Sequence, residues 1–352
     1  NMKKKSLSAK KIIHKKILNH LDNKRILNNY TQFKKNLKKF NNHNKLAGAI
    51  SGGPDSMALA FFLKCYEIEK GKKVYFYHID HGLRVSSKIE ANKIKQKLKF
   101  FEINLKIIPW ISNKPKNGNL QSIARSNRYR LLFNQMKLDK SELILTGHTR
   151  NDLIENFFIR VFRGSGLGGF VSFNELNNFV NGKIIFRPFL DTKKSDLQYI
   201  SKQVFGSYIE DPSNKNPIFK RTKVRNMIEE FSDEGLDLDK ISLTINNLSE
   251  ANRAIKYYIN QNIKLNVKET HKKNFLILNS HFFENPLEIS LRSLLEILSR
   301  LGGKYYPPRG KKVVKIINEI LNQTFKKSTL HGCIIEKFGN LTLIYKENEK
   351  KI

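Results

Sequence analysis

Cysteine is nearly missing. Cys65 and Cys333 are the two among 352 residues, far apart in the chain. They form no Cys-x-x-Cys pair and no zinc-ligand spacing, so a disulfide-stapled scaffold is excluded and a reducing cytoplasm is the expected compartment. Long apolar runs are missing too: no stretch approaches the roughly 18 residues of a membrane span. The basic start, Asn1-Met2-Lys3-Lys4-Lys5, leads into no apolar segment, so no secretory signal is expected there, and Asn1 reads as a cloning remnant. Acidic residues are scarce: 31 Asp and Glu face 65 Lys and Arg, a formal net charge of +34.

An AT-rich genome inflates Lys and Asn, but it should inflate Asp and Glu as well. The two-to-one excess of base therefore points to a polyanionic partner. The basic residues are spread along the whole chain, which suits a large folded RNA contacted by several surfaces. Hydrophobic residues make up 39%, with 24 Phe and 12 Tyr, enough for a sizeable core. The length suggests two or three domains.

Residues 2–44 are Lys- and Asn-rich with apolar residues at helical spacing (Ile13, Ile17, Leu21), predicting a basic N-terminal helical arm over 1–44. From 45 the pattern alternates. Strands are expected at Leu46–Ile50, Val74–Ile79, Ile103–Trp110 and Leu143–Thr146, with helices between them, and Ile184–Phe189 then leads to a helix near Thr192. That order predicts an α/β fold, an open parallel Rossmann-like sheet spanning 45–230. A helical RNA-binding region is expected over 231–300. A small α+β C-terminal module is expected over 301–352, ending in a hairpin turned at Gly339-Asn340. In open α/β sheets ligands sit beyond the carboxyl ends of the strands. Ser51, Asp80 and His148 each follow a predicted strand, so they can converge on one crevice.

The sharpest motif is Ser51-Gly52-Gly53-Pro54-Asp55-Ser56 between a strand and a helix. Two glycines let the backbone approach an anion, and the helix presents free N–H groups and the positive end of its dipole. Ser51 and Ser56 add hydroxyls, and Pro54 suits the first helical turn. Asp55 is out of place beside a phosphate unless a cation such as Mg²⁺ lies between them. The Walker pattern is absent. An ordinary turn with a helix cap is the bland alternative.

This hexapeptide resembles the loop of the PP-loop ATP pyrophosphatases, which implies ATP cleaved between its α- and β-phosphates. Further segments are similar to the lysidine synthetase branch of that family. They are Asp80-His81-Gly82-Leu83-Arg84, Ala124-Arg125-x-x-Arg128-Tyr129, and His148-x-x-x-Asp152-x-x-Glu155 leading to Arg160-x-x-Arg163. Arg187-Pro188-Phe189-Leu190, Glu210-Asp211-Pro212-Ser213-Asn214 and Phe219-x-Arg221-x-x-x-Arg225 continue the match. The likeness is specific over about 46–226 and looser at Pro307-Pro308-Arg309-Gly310 and Leu330-His331-Gly332-Cys333. The chain departs from the family pattern at Thr149 (usually His), Asn151 (usually Asp), Leu153 (usually Gln) and Asn156 (usually Thr).

The resemblance implies ATP with Mg²⁺, free L-lysine, and tRNA(Ile) bearing a CAU anticodon as partners, and a homodimer is compatible with it. The implied catalytic set is Asp55, His148, Asp152, Glu155, Arg221 and Arg225. ATP falls to Ser51, Gly52, Gly53, Pro54, Asp55, Ser56, Asp80 and His81, with Mg²⁺ at Asp55. RNA falls to Arg84, Arg125, Arg128, Arg163, Arg309, Lys311 and Lys312. Each has a plainer reading. Thr149-x-x-Asp152 is also a helix capping box. His81 reads equally as a hydrogen-bonded loop histidine, Glu155 as a surface residue, and Arg125, Arg128 and Arg130 as a solvated face. Metal ligation by His78, Asp80 and His81 is disfavoured, because a strand turns 81 away from 78 and 80. A tRNA thiolase is the runner-up enzyme, short of the cysteines that such chemistry needs. A glutamine-dependent synthetase lacks its glutaminase cysteine. A noncatalytic RNA-binding protein is the alternative outside catalysis.

Overall fold

The computed structural model describes residues 2–82, 86–111, 120–173, 178–180, 183–209, 220–270, 275–302 and 308–347. It divides into two compact units, Asn1–Asn246 and Asn247–Ile352.

The first unit is built on a six-stranded sheet. Its strands are β1 (Lys45–Ala49), β2 (Lys73–Asp80), β3 (Leu105–Pro109), β4 (Leu143–Thr146), β5 (Asn178–Val180) and β6 (Lys183–Phe186), in the order β3-β2-β1-β4-β6-β5. Five strands are parallel, as the alternating pattern predicts, and β5 adds an antiparallel edge on β6. The segment that leads past Pro188 holds a further strand, β6, which ends at Phe186, short of the proline that cannot donate to a ladder. The chain runs from β1 outward through β2 to β3, then crosses to β4 on the other side. The reversal between β1 and β4 opens the crevice where such sheets bind ligands.

Helix α3 (Pro54–Lys70) fills the centre of one face. It is buried from Ser56 through Tyr66, so it reads as apolar all round. The N-terminal segment does not form a separate arm. After α1 (Met2–Asn19), α2 (Lys24–Leu37) buries Ile26, Tyr30, Phe33 and Leu37 in the same core as α3 and α8 (Lys194–Phe205). Their spacing of four, three and four residues defines one helical face. Lysine and asparagine on the other face gave the segment its arm-like composition. Asn23 caps α2, accepting from the backbone N–H groups of Arg25 and Ile26. Helices α4 (Ser87–Lys99), α5 (Leu120–Leu138), α6 (Arg150–Val161), α7 (Leu167–Val171) and α9 (Lys220–Asp233) complete the unit, and α10 (Leu238–Asn266) runs through the boundary at Asn246.

The second unit corrects the expected 231–300 and 301–352 division. Strands β7 (Val267–Glu269) and β8 (Phe275–Leu278) interrupt the expected helical region. They join β9 (Lys327–Leu330), β10 (Cys333–Phe338) and β11 (Leu341–Lys346) in one antiparallel sheet, ordered β7-β8-β11-β10-β9. Helices α11 (Leu287–Gly302) and α12 (Gly310–Leu321) bury Leu294, Leu298, Val313 and Ile317 against it. One core thus spans position 300. The β10–β11 hairpin turns at Gly339, in the left-handed region at φ 55°.

Candidate active site

The crevice between β1 and β4 opens into a cleft of about 1150 Å³, lined wholly by residues of the first unit. Its floor is the loop between β1 and α3. Gly52 adopts φ 95°, and a Cβ there would lie 2.3 Å from Ile94 Cδ1, so only glycine fits. Ser56 Oγ ties the loop together: it accepts from the backbone N–H of Ser51 (3.1 Å) and of Gly52 (3.0 Å) and donates to the Gly53 carbonyl (2.9 Å). Ser51 Oγ lies 3.1 Å from the same hydroxyl. The sequence suggested Ser56 as a donor to phosphate, but its proton is spent inside the loop, so Ser56 is an organiser. Pro54 opens α3, whose first turn faces the cleft.

Asp55 sits in that first turn with its Oδ1 buried and without a hydrogen-bond partner among the described residues. Burial pushes its carboxyl up to about 7, Asp152 and Glu155 add to the rise, and Lys194 and Arg225 oppose it. Gly147, just after β4, closes the floor. A Cβ on it would lie 2.9 Å from Asp55 C and O and from Ser56 N, so the end of β4 meets the start of α3 backbone to backbone.

One wall is a lattice of paired charges between α6 and α9. Asp152 caps α6, its Oδ2 accepting from the Thr149 backbone N–H at 2.8 Å and from Thr149 Oγ1 at 3.1 Å. Its Oδ1 accepts from Arg221 Nη2 at 2.6 Å. Glu155 is buried, with 5% of its side chain exposed. It takes Arg221 Nε at 2.5 Å on one oxygen and Arg225 Nε at 2.7 Å on the other. The capping reading of Asp152 and the ion-pair reading therefore hold together. The surface reading of Glu155 does not.

A second group of cations comprises Arg125 and Arg128, which line the cleft from α5 with Tyr129, and Arg187 just after β6, which is not among the lining residues. The two α5 guanidiniums lie over the Tyr129 ring, 5.4 and 5.3 Å from its centroid. Arg187 is buried and stacks on Phe173 at 4.6 Å. His148 meets the same Phe173 edge-on at 5.1 Å, and its Nδ1 lies 2.8 Å from Thr146 Oγ1. Burial, then Arg187, Arg128 and Arg125, hold the imidazole well below its ordinary pKa, so His148 is neutral. Asp80 and His81 line the cleft at the end of β2. Asp80 accepts from the Gly82 N–H at 2.8 Å, and His81 packs edge-on against Trp110.

Asp55, His148, Asp152, Arg125, Arg128, Arg221 and Arg225 thus line one cleft with the loop, and Glu155 braces it from behind. Arg163 is exposed just beyond α6, while Arg309, Lys311 and Lys312 stand exposed at the start of α12 in the second unit. Arg84 and the 210–219 segment lie outside the described residues. Sequence reasoning missed Gly147, Lys194 at the start of α8, and the roles of Tyr129 and Arg187. The last two stood in matched motifs, which was the one signal available for them.

The PP-loop domain family matches residues 24–231. The chain is 32% identical over 316 residues to a tRNA(Ile)-lysidine synthase of Wolbachia pipientis wMel, covering 88% of this chain and 72% of that protein. It is 30% identical to one from Orientia tsutsugamushi (strain Boryong), covering 88% and 71%. This chain belongs to the tRNA(Ile)-lysidine synthase family of PP-loop proteins. Among solved structures, the U34-tRNA thiolase NcsA from Methanococcus maripaludis, determined with its [4Fe-4S] cluster, superposes with a TM-score of 0.55 at 14% identity. That match covers 64% of this chain and 78% of NcsA, a likeness of fold alone.

Proposed function

We propose that this family member ligates lysine to carbon 2 of the wobble cytidine of tRNA(Ile) bearing CAU, using ATP and releasing pyrophosphate and AMP. The observation that carries this reading is the arrangement of one cleft. A phosphate-cradling loop on its floor faces an α6–α9 wall that offers both a carboxylate and two guanidiniums. The backbone N–H groups at the start of α3 receive the ATP phosphates, since those of Ser51 and Gly52 already bond Ser56 Oγ. Asp55 fits Mg²⁺: its buried oxygen lacks a partner, and magnesium is commonly held by one or two carboxylates together with substrate phosphates. Bound there, the ion would neutralise charge on the departing pyrophosphate. Among the described residues no group of three His, Cys, Asp or Glu side chains is placed to hold a metal, so Asp55 is the protein group that would hold the ion, together with the nucleotide.

The cytidine oxygen on carbon 2 attacks the α-phosphorus, giving an adenylated RNA, and the lysine amine then displaces AMP. Only the free amine is a nucleophile. A carboxylate offers about four acceptor positions, and Asp152 has three filled, two by Thr149 and one by Arg221. The fourth takes the lysine ammonium and then its proton. Protonation of Asp152 loosens Arg221, which turns to the leaving AMP phosphate with Arg225. Neutral His148 gives a hydrogen bond without adding to the positive charge of its wall. Every residue in this scheme lies in the first unit of one chain, so the scheme needs no residue from a second copy. No described helix is long and apolar enough to cross a membrane, and a tRNA with free lysine as substrates supports the reading of a cytoplasmic enzyme.

A thiolase is disfavoured by the thiols. Cys65 is buried in α3 and Cys333 in β10, neither in the cleft. The decisive assay supplies ATP, Mg²⁺, labelled lysine and a tRNA(Ile) transcript bearing CAU. Label should become RNA-bound and should vanish when the wobble cytidine is replaced. Absence of incorporation by folded, RNA-binding protein refutes the reading.

A further inference from the structure

His78 is a buried polar residue of the cleft that the scheme above leaves unused. It stands near the end of β2 and lines the cleft while only 9% exposed. Alternation along β2 sends Phe76 and His78 to the face that packs on α3 and α4, and Tyr77 and Ile79 to the other. His78 Nδ1 lies 2.8 Å from the carbonyl of Ile50, the residue that leads into the loop at Ser51. A carbonyl can only accept, so Nδ1 carries the proton. Burial lowers the pKa of the ring, and in a neutral imidazole protonated on Nδ1 the other nitrogen is an acceptor. Nε2 has no hydrogen-bond partner among the described residues, and it is not one of the side-chain atoms sealed from solvent without a partner. A neutral acceptor is therefore open to the cleft beside the loop. The lining on this side is apolar, from Ile50, Ile94, Tyr208 and Ile209. Ile94 and Ile209 flank Gly52, whose carbonyl accepts from the Ile209 N–H at 3.0 Å.

We propose that His78 selects the base of the nucleotide, its Nε2 accepting a hydrogen bond from the 6-amino group of adenine. The assignment rests on the ATP-using reading above. Phosphates held at the start of α3 bring the nucleoside of the same molecule beside the loop, and the apolar lining there suits a planar base. A buried acceptor without a donor is costly. The lysine ammonium has the carboxylate of Asp152, so the uncharged amino group of adenine is the donor that suits His78. Guanine carries a carbonyl oxygen at the same ring position, and two acceptors would then face each other. The bond from Nδ1 to Ile50 fixes the tautomer and the direction of the ring, so the acceptor is in place before the nucleotide arrives.

The test uses the full chain with Mg²⁺ and without RNA, so that binding is read apart from turnover. Calorimetry compares ATP, GTP and the triphosphate of purine riboside, which is ATP without its 6-amino group. Wild-type protein should bind ATP roughly tenfold or more tighter than the purine nucleotide, and GTP more weakly than both. His78→Asn puts its amide NH₂ where Nδ1 stood, keeping the bond to Ile50, and removes Nε2. It should bind ATP and the purine nucleotide alike, and its thermal unfolding reports whether it folds. Long-range ¹H–¹⁵N spectra of the wild-type histidines need no substitution: an unprotonated ring nitrogen should shift with ATP and not with the purine nucleotide. Equal wild-type affinity for those two nucleotides overturns the proposal, as does a preference that survives in folded His78→Asn. In either case His78 is only a strut between β2 and β1, and the ATP-using reading stands. Failure of the wild type to bind any of the three nucleotides overturns that reading as well.

Discussion

The two walls of the cleft use arginine in opposite ways. On α6 and α9, Arg221 and Arg225 are held by Asp152 and Glu155 through contacts of 2.5 to 2.7 Å. On α5 and β6, Arg125, Arg128 and Arg187 surround a tyrosine. The first wall has its counter-charges built in and its donors fixed before any ligand arrives, as stabilisation of a developing phosphate charge requires. On the second, Arg125 and Arg128 pair with no carboxylate of the described residues and lie over the Tyr129 ring. We propose on that contrast that the first set acts on the reacting bonds and the second holds an anion of the substrate.

The comparison is broken most severely at Glu155. Glu155→Gln keeps the shape but turns an amide NH₂ toward one of two arginine Nε–H groups and removes the charge that both share. Leaving buried charge without its partner costs about 3–5 kcal/mol. We expect a fall in thermal stability together with a loss of kcat of about a thousandfold or more, read by denaturation and by lysine incorporation. Unchanged stability would mean that the lattice is not a brace. Asp152→Ala comes next. It should remove lysine transfer by roughly 10²–10⁴-fold, weaken the α6 cap by about 1 kcal/mol, and leave RNA affinity nearly intact. Normal turnover would take Asp152 out of the mechanism.

Gly147→Ala tests the floor that both walls share. The added methyl would press on the Asp55 and Ser56 backbone at 2.9 Å. Overpacking of this kind costs about 1–3 kcal/mol, and a displaced loop should show mainly as a raised KM for ATP. An unaltered KM would mean that the β4 end yields freely.

What could be read beforehand follows from the range of the interactions. The loop was legible because its glycines, proline and serines act within six residues, and the parallel sheet because strand and helix periods alternate. The α6 cap was legible because Thr149 and Asp152 are three apart. By contrast, the bond from Arg221 to Glu155 closes across two helices, and Gly147 meets Asp55 only once β1 and β4 are neighbours. Tyr129 meets Arg187 for the same reason. The α2 segment misled because its solvated lysines dominate the composition while four residues make the core face. The short strands β7 and β8 were hidden between longer helices.

A smaller effect sharpens the contrast through pH. Asp55 has a raised carboxyl pKa, so its folded form holds a proton that the unfolded chain releases. That contribution to stability is complete below the ordinary carboxylate range and is lost as pH rises through about 7. Asp55→Asn should therefore melt higher than wild type above neutrality, and the gap should close as the pH is lowered. A gap that widens in acid would contradict the burial argument.

The mildest change isolates the second wall. Arg125 is exposed and makes no ion pair with a carboxylate of the described residues. Arg125→Ala should thus leave stability and the lysine-transfer rate on bound RNA almost unchanged. Its effect belongs in the salt dependence of RNA affinity. Removing one phosphate contact lowers the slope of log K against log salt by about 0.7–0.9, and the affinity itself should fall by roughly tenfold or less. Arg225→Ala provides the counterpart: it should leave that slope alone and slow adenylation, because its charge is already spent on Glu155 and is aimed at the reacting phosphate. If the two substitutions instead gave the same salt slope and the same loss of rate, the walls would be one continuous basic surface, and the division between holding and reacting would not exist.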